Sequence, residues 1–161
     1  LTNPPFKTLF ITYKLYYNLE RIRMGNSAEI LRLIQYLQNE GILVTKDFVK
    51  DLQKLIQTDI EKFAIQFFKD FSRKDFENYN RFEKLKLTKQ QRDSIDGNVL
   101  WRYEYRNTSN FRCIFIVQKD NNTNVPILLC AFNENGGKKR SDGSYNHNIK
   151  RALEIIKKNS Y

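Results

Sequence analysis

The chain has 161 residues, of which 40% are hydrophobic, and this size and composition predict one domain with a buried core. The 28 Lys and Arg residues exceed the 18 Asp and Glu residues, and the net charge of +10 favours an anionic partner, most commonly a nucleic acid. The sequence argues against a membrane span, a secretory signal and a structural zinc site, since long apolar runs are absent and only one histidine and two separated cysteines occur.

The first predicted element covers residues 9–20, where every second residue is apolar. Polar residues occupy four of the positions between them: Thr12, Lys14, Asn18 and Glu20. This period of two is typical of a half-buried strand. The same stretch also fits a helix, because apolar residues recur at helical spacing at Ile11, Leu15, Leu19 and Ile22.

A helical hairpin is predicted next. Ser27 is suited to cap a first helix that ends at Gly41, and Thr45 is suited to cap a second, longer helix. The apolar stripe of the second helix advances in steps of three or four residues, and we expect it to form core: Phe48, Leu52, Leu55, Ile56, Ile60, Phe63, Phe67 and Phe71. Residues 72–98 are polar and predict only short helical fragments.

Three strands are predicted at residues 99–106, 111–118 and 125–132, separated by Asn-rich loops that suit hairpins. The third is apolar on both faces and is expected to be central in the sheet. Cys113 and Cys130 lie within these strands, which favours buried free thiols in a reducing cytosol. A closing amphipathic helix carries Ile149, Ala152, Leu153 and Ile156. The predicted fold is α+β, with helices on one face of a twisted sheet.

Charged residues stand out in two of the predicted strands. In the first strand, Arg102, Glu104 and Arg106 face away from the aromatic residues, so this face is either solvated, with cross-strand ion pairs, or follows phosphates. Arg112 interrupts an apolar strand, so it must extend to solvent, pair with an acid such as Glu104, or face a cleft. Its rigid fork of N–H donors suits a phosphate.

The corner at residues 136–147 joins the last strand to the closing helix and contains a pair of adjacent glycines, Gly136 and Gly137, followed by three consecutive cations. Backbone N–H groups at a helix start favour anions, although a solvated basic loop is the simpler interpretation. The Walker spacing for ATP is absent. Tyr145 and His147, the only histidine, carry groups that can transfer protons.

The order of these motifs resembles the RelE/HigB-type toxins of bacterial toxin–antitoxin pairs, within the RelE/ParE superfamily. The matching stretches are LWRYEYR, NFRCIFIV, VPILLCAF and GGKKRSDGSYNHNIKRALEII, within roughly residues 82–158. A helix pair after a first strand also fits residues 9–71. The resemblance implies one RelE-like domain over residues 1–161, with a twisted, mainly antiparallel sheet of about four strands. A helical hairpin and a C-terminal helix would pack on it, with an enlarged helical segment at 45–85 and the meander, basic corner and closing helix at 99–158.

The resemblance also implies a cytoplasmic endoribonuclease that cuts mRNA on the ribosome, contacts rRNA, and is neutralised by an antitoxin. It implies attack by the RNA 2′-hydroxyl on the adjacent phosphate, with no metal or other cofactor. The implied catalytic residues are Arg112, Lys139, Arg140, Tyr145 and His147. The implied RNA-binding residues are Arg102, Arg106, Lys119 and Lys138. The general base stays open among Tyr145, His147 and a lysine.

Two other functions fit the same sequence. A non-catalytic nucleic-acid-binding module would use the same basic face and would bind RNA or DNA in a salt-dependent way without cleavage. A protein-interaction domain built on the Phe-rich helix would require that its phenylalanine stripe be exposed.

Overall fold

Five strands form one mixed sheet in the computed structural model, which describes residues 27–105, 110–134 and 143–159. Within these ranges the α+β class is confirmed, and the predicted strand at residues 9–20 lies outside them. The elements in chain order are α1 (Ser27–Asn39), β1 (Leu43–Val44), α2 (Lys46–Leu55), α3 (Ile60–Ser72), β2 (Phe82–Lys84), α4 (Lys89–Ser94), β3 (Leu100–Glu104), β4 (Phe111–Asp120), β5 (Thr123–Asn133) and α5 (Tyr145–Asn159).

The strand order across the sheet is β1-β5-β4-β3-β2. β1 runs parallel to β5, and the other neighbours are antiparallel. β4 and β5 are joined by Asn121 and Asn122, whose positive φ angles of 51° and 65° match the two-residue turn that suits twisted hairpins. The strand predicted to be central, β5, is an interior strand between β4 and the short β1, and the middle strand of the five is β4.

The prediction of about four strands was wrong, because the described residues contain five. β1 and β2 have only two and three residues, too few to show a period of two. The enlarged segment at 45–85 is therefore not helical throughout, since β2 closes it.

The long second helix of the predicted hairpin is two helices. α2 ends at Leu55, and the backbone of the next residue, Ile56, is extended. α3 begins after Asp59, which has a left-handed φ of 50°. Ile56 and Ile60 are both buried, so the apolar spacing continues through the break and hides it in the sequence. This is why the pattern alone predicts one helix.

Helices cover both faces of the sheet, so the expectation that they pack on one face was wrong. α1, α2 and α3 pack on the face that carries Trp101, Tyr103 and Phe115. The phenylalanine stripe is core, as predicted: Phe67 and Phe71 are fully buried, with ring centroids 4.6 Å apart. A protein-interaction surface built on an exposed stripe therefore has no support among the described residues.

α5 covers the opposite face, where the residues of its predicted apolar stripe, Ile149, Ala152, Leu153 and Ile156, pack against the other side of β4 and β5. Cys113 lies in the first core layer and Cys130 in the second, and both are fully buried free thiols. Burial raises the pKa of Cys130 to about 12, so its thiol stays protonated and unreactive at neutral pH. In the described ranges no helix is long and apolar enough to cross a membrane.

The outer edge of β5 is closed mainly by side chains, because β1 pairs only with Ile127 and Leu128. The Thr45 hydroxyl donates to the Leu129 carbonyl at 2.7 Å and accepts from the Phe48 N–H at 3.1 Å. It thereby caps α2 and also provides a hydrogen-bond partner for a backbone carbonyl of β5.

Asp51 completes this edge. Its carboxylate accepts from the Ala131 N–H at 2.9 Å and from Arg151 of α5 at 2.9 and 3.0 Å. Burial raises the pKa of Asp51, and the Ala131 hydrogen bond and Arg151 charge oppose that rise. The pair links the helical layers on the two faces of the sheet.

Thr45→Ala removes the cap of α2 and the partner of the Leu129 carbonyl, and we expect it to lower the free energy of unfolding by about 2 kcal/mol. Thr45→Ser keeps the hydroxyl and should cost less. The control is Thr88→Ala, which removes the exposed cap of α4. Urea unfolding measures all three, and equal losses for Thr45→Ala and Thr88→Ala would contradict the dual role of Thr45.

Candidate active site

Charged side chains gather on the α5 face of the sheet, beside the start of α5. Arg102 and Glu104 point to this face from β3, and Arg112 lies directly opposite Glu104 on β4. Further contacts come from neighbouring elements, and we call the whole set the charged cluster: Glu83, Arg102, Glu104, Arg112, Glu134 and Tyr145.

Arg102 is the centre of the charged cluster. Its guanidinium forms ion pairs with Glu104 on its own strand and with Glu83 opposite on β2. One of its nitrogens also lies 3.5 Å from the Tyr145 hydroxyl. Its side chain is only 21% exposed, so these contacts satisfy a charge that is largely withdrawn from water.

Arg112 is more buried, with its side chain 14% exposed. Its Nε donates to Glu134 at 2.9 Å, and one Nη donates to the Phe111 carbonyl at 3.0 Å. Glu104 lies 3.9 Å from the same Nε, which is an ionic contact without a hydrogen bond. Of the possibilities open in the sequence, the pairing of Arg112 with acids is therefore the one observed.

Tyr145 is the first residue of α5 and is half-buried. Its ring meets Phe132 edge to face, with centroids 5.1 Å apart, and the Arg102 guanidinium lies 5.7 Å from its centroid. Burial raises the pKa of the Tyr145 hydroxyl, and the charge of Arg102 opposes this rise. Tyr145 therefore keeps its proton at neutral pH and can act as a hydrogen-bond donor or general acid.

The start of α5 separates Tyr145 from His147. Ser144 caps the helix by accepting from the His147 N–H at 3.1 Å. Two residues along a helix turn the side chain by about 200°, and His147 is exposed on a different side of α5 from Tyr145. Arg102, Arg112 and Tyr145 are thus brought together, and the imidazole of His147 lies outside their cluster.

Of the other predicted site residues, only Lys119 lies within the described ranges. Lys119 is exposed near the hairpin end of β4, about 23 Å from Arg112 along the strand at ~3.3 Å per residue. Arg106, Lys138, Lys139 and Arg140 lie outside the described residues.

The sequence does not predict that Glu83 and Glu134 belong to the charged cluster. Glu83 lies on β2, within residues 72–98, for which the sequence predicts only short helical fragments. Glu134 follows the last predicted strand. Glu104 is anticipated only as an ion-pair partner. Arg112 pairs across the sheet with Phe132, so Glu134, two residues further on, is its diagonal neighbour. The register of the β4–β5 hairpin would have revealed this contact.

The charged cluster has three carboxylates and two guanidiniums, so it is not a positively charged patch despite the net charge of +10. It combines a proton-bearing phenol, ionisable carboxylates and arginines at one partly buried place, which are the group types needed for acid–base chemistry on an anion. In the three described ranges, no three His, Cys, Asp or Glu side chains are grouped so as to hold a metal ion.

A second buried charge lies in the aromatic core on the other face. Asp70 is 1% exposed and accepts hydrogen bonds from Tyr103 at 2.6 Å, Tyr79 at 3.0 Å and Gln66 at 2.8 Å. Arg81 lies 3.6 Å away. Because Asp70 is saturated and sealed from solvent, it serves the core and offers no access to a substrate.

Comparison with known proteins adds no relative: no family model, no curated protein and no solved structure matches the chain.

Tyr103→Phe removes the hydroxyl that contacts Asp70, and we expect a loss of about 2 kcal/mol at pH 7, since a hydrogen bond to a buried charge is lost. Burial and Asp70 raise the pKa of Tyr103. A raised pKa gives stability that is complete below the unfolded value of about 10 and declines progressively as the pH rises from there toward the higher pKa of the folded state.

Urea unfolding from pH 7 to 11 should therefore show the wild type and Tyr103→Phe converging as the pH passes 10. Tyr79→Phe, which alters a half-buried partner of the same carboxylate, is the control and should cost less at pH 7. A difference between wild type and Tyr103→Phe that stays constant with pH would disprove the role given to the Tyr103 proton.

Proposed function

We propose that this protein is a metal-independent endoribonuclease of the RelE/HigB type, which cleaves mRNA on the ribosome and is held inactive by an antitoxin. The observation that carries the proposal is the meeting of Arg112, Arg102 and Tyr145 in one partly buried cluster. The proposal is further supported by the chain order of β3, β4, β5 and α5, which follows the order of the motifs that carry the resemblance.

Arg112 is the phosphate-binding residue in this proposal. A guanidinium has five N–H groups, and the contacts with Glu134 and the Phe111 carbonyl use two of them. The others can donate to the non-bridging oxygens of a phosphodiester and stabilise the negative charge that grows as the 2′-oxygen attacks. Arg102 is occupied by Glu83 and Glu104 and holds Tyr145 in position.

The proton transfers are assigned to Glu134 and Tyr145. Glu134 takes the proton of the 2′-hydroxyl as that oxygen bonds to phosphorus, and Tyr145 donates its proton to the departing 5′-oxygen as the old bond breaks. The products are a 2′,3′-cyclic phosphate and a 5′-hydroxyl. Glu134 is 36% exposed and contacts Arg112, so it can reach a nucleotide bound there. The raised pKa of Tyr145 suits the acid rather than the base.

The basic corner supplies positive charge in this proposal. Residues 135–142 connect Glu134 to Gly143, and therefore both of their ends are attached next to the charged cluster. Their sequence includes Lys138, Lys139 and Arg140, and eight residues span at most about 28 Å.

Arg112→Ala should lower cleavage of translated mRNA by about 10²–10³-fold, since it removes transition-state charge stabilisation. Arg112→Lys should recover part of the activity, because a point charge replaces the fork. The matched control is Lys62→Ala, which removes an exposed cation on α3. Primer extension on mRNA from a ribosome-dependent translation reaction measures cleavage, and circular dichroism checks folding.

Wild-type protein that leaves translated mRNA intact would refute the endonuclease proposal. Salt-dependent RNA binding without cleavage would instead establish the non-catalytic module. Cleavage that survives Arg112→Ala unchanged would remove Arg112 from the site.

Tyr145→Phe should lower kcat by about 10²-fold and leave KM nearly unchanged, because it removes the proton donor. Glu134→Gln should have a similar effect on kcat by removing the base. Tyr36→Phe, which alters an exposed tyrosine on α1, is the control. The measurement is single-turnover cleavage, and a purely structural charged cluster predicts lower thermal stability in both variants with kcat retained.

A further inference from the structure

A groove of about 640 Å³ lies between α1 and α3, on the side of these helices away from the sheet. Leu33 is buried at its base, and the rings of Tyr36 and Phe68 stand 5.9 Å apart along it. The groove lies apart from the charged cluster, so the inference drawn from it is independent of the proposed function.

Much of the exposed apolar surface of the described residues lies along the groove. Among these residues, three large apolar side chains are exposed: Tyr36 at 52%, Ile65 at 63% and Val99 at 44%. Two of the three, Tyr36 and Ile65, line the groove. A patch of this kind marks a surface that another segment or molecule covers.

The chain itself provides a segment suited to this groove. Residues 1–26 lie outside the described residues and join α1 at Ser27, two positions before Glu29, where the groove begins. Within them Ile11, Leu15 and Leu19 share one face in a helix and equally in a strand. Either backbone therefore presents three aliphatic side chains together.

We propose that the apolar face of residues 9–22 packs into the groove between α1 and α3. Tethering decides in favour of this occupant, because a directly attached segment has an effective concentration of about 1 mM, well above that of a second copy at ordinary protein concentrations. The segment covers Tyr36 and Ile65 and adds a third layer outside α1 and α3.

The test uses the full chain with Ile65→Cys as a reporter of solvent access. Cys113 and Cys130 are fully buried, so maleimide reports the new thiol alone in the folded protein. Leu15→Asp with Leu19→Asp places charge on the apolar face and should speed alkylation about tenfold by opening the groove. Glu20→Lys, on the opposite side in either backbone, should leave the rate unchanged.

Val99→Cys is the second control, since Val99 is exposed away from the groove and its alkylation rate should not respond to the aspartates. Equal alkylation of Ile65→Cys with and without the aspartates overturns the proposal. Protection that grows with protein concentration overturns it in favour of a second copy.

A cross-linking experiment keeps the proposal testable if the aspartate variant does not fold. A bismaleimide should join Leu15→Cys to Ile65→Cys within one chain and should join Glu20→Cys to Ile65→Cys far less. Equal yields from the two pairs, or products only between chains, overturn the proposal.

Discussion

The carboxylate of Asp51 accepts hydrogen bonds from the backbone of β5 and from the guanidinium of Arg151, and in this way joins two helical layers around one edge of the sheet. β1 is too short to cover that edge, and unpaired backbone groups there would cost free energy and invite pairing with another chain. Thr45 and Asp51 satisfy them with side chains. The positions of α2 and α5 on β5 both depend on this closure.

The position of α5 in turn determines the charged cluster. Ile149, Ala152 and Leu153 fix which side of α5 faces the sheet, and the first turn then places Tyr145 against Phe132 and Arg102. In this cluster three carboxylates outnumber two guanidiniums, so the net charge of +10 arises from side chains elsewhere in the chain.

Much of the fold could be predicted from the sequence, because β4 and β5 are long and α1 and α5 are strongly amphipathic. β1 and β2 could not, since two or three residues have no measurable period. The break between α2 and α3 is hidden because Ile56 and Ile60 preserve the spacing. In the charged cluster, Arg112 and Glu104 were predictable as hairpin neighbours, whereas the contact of Arg102 with Tyr145 depends on how α5 rolls on the sheet.

The separation of Asp51 from Arg151 in the sequence has a consequence for how the molecule is made. They are 100 positions apart, and a ribosome takes about 5–20 s to add that many residues at about 5–20 residues per second. Within this interval the phenylalanine stripe of α2 and α3 has no sheet to cover it until β3 and β4, which carry Tyr103, Phe111 and Phe115, are synthesised. The nascent chain therefore exposes its most aromatic surface until β3 and β4 are synthesised, and the charged cluster is completed only when Tyr145 of α5 follows.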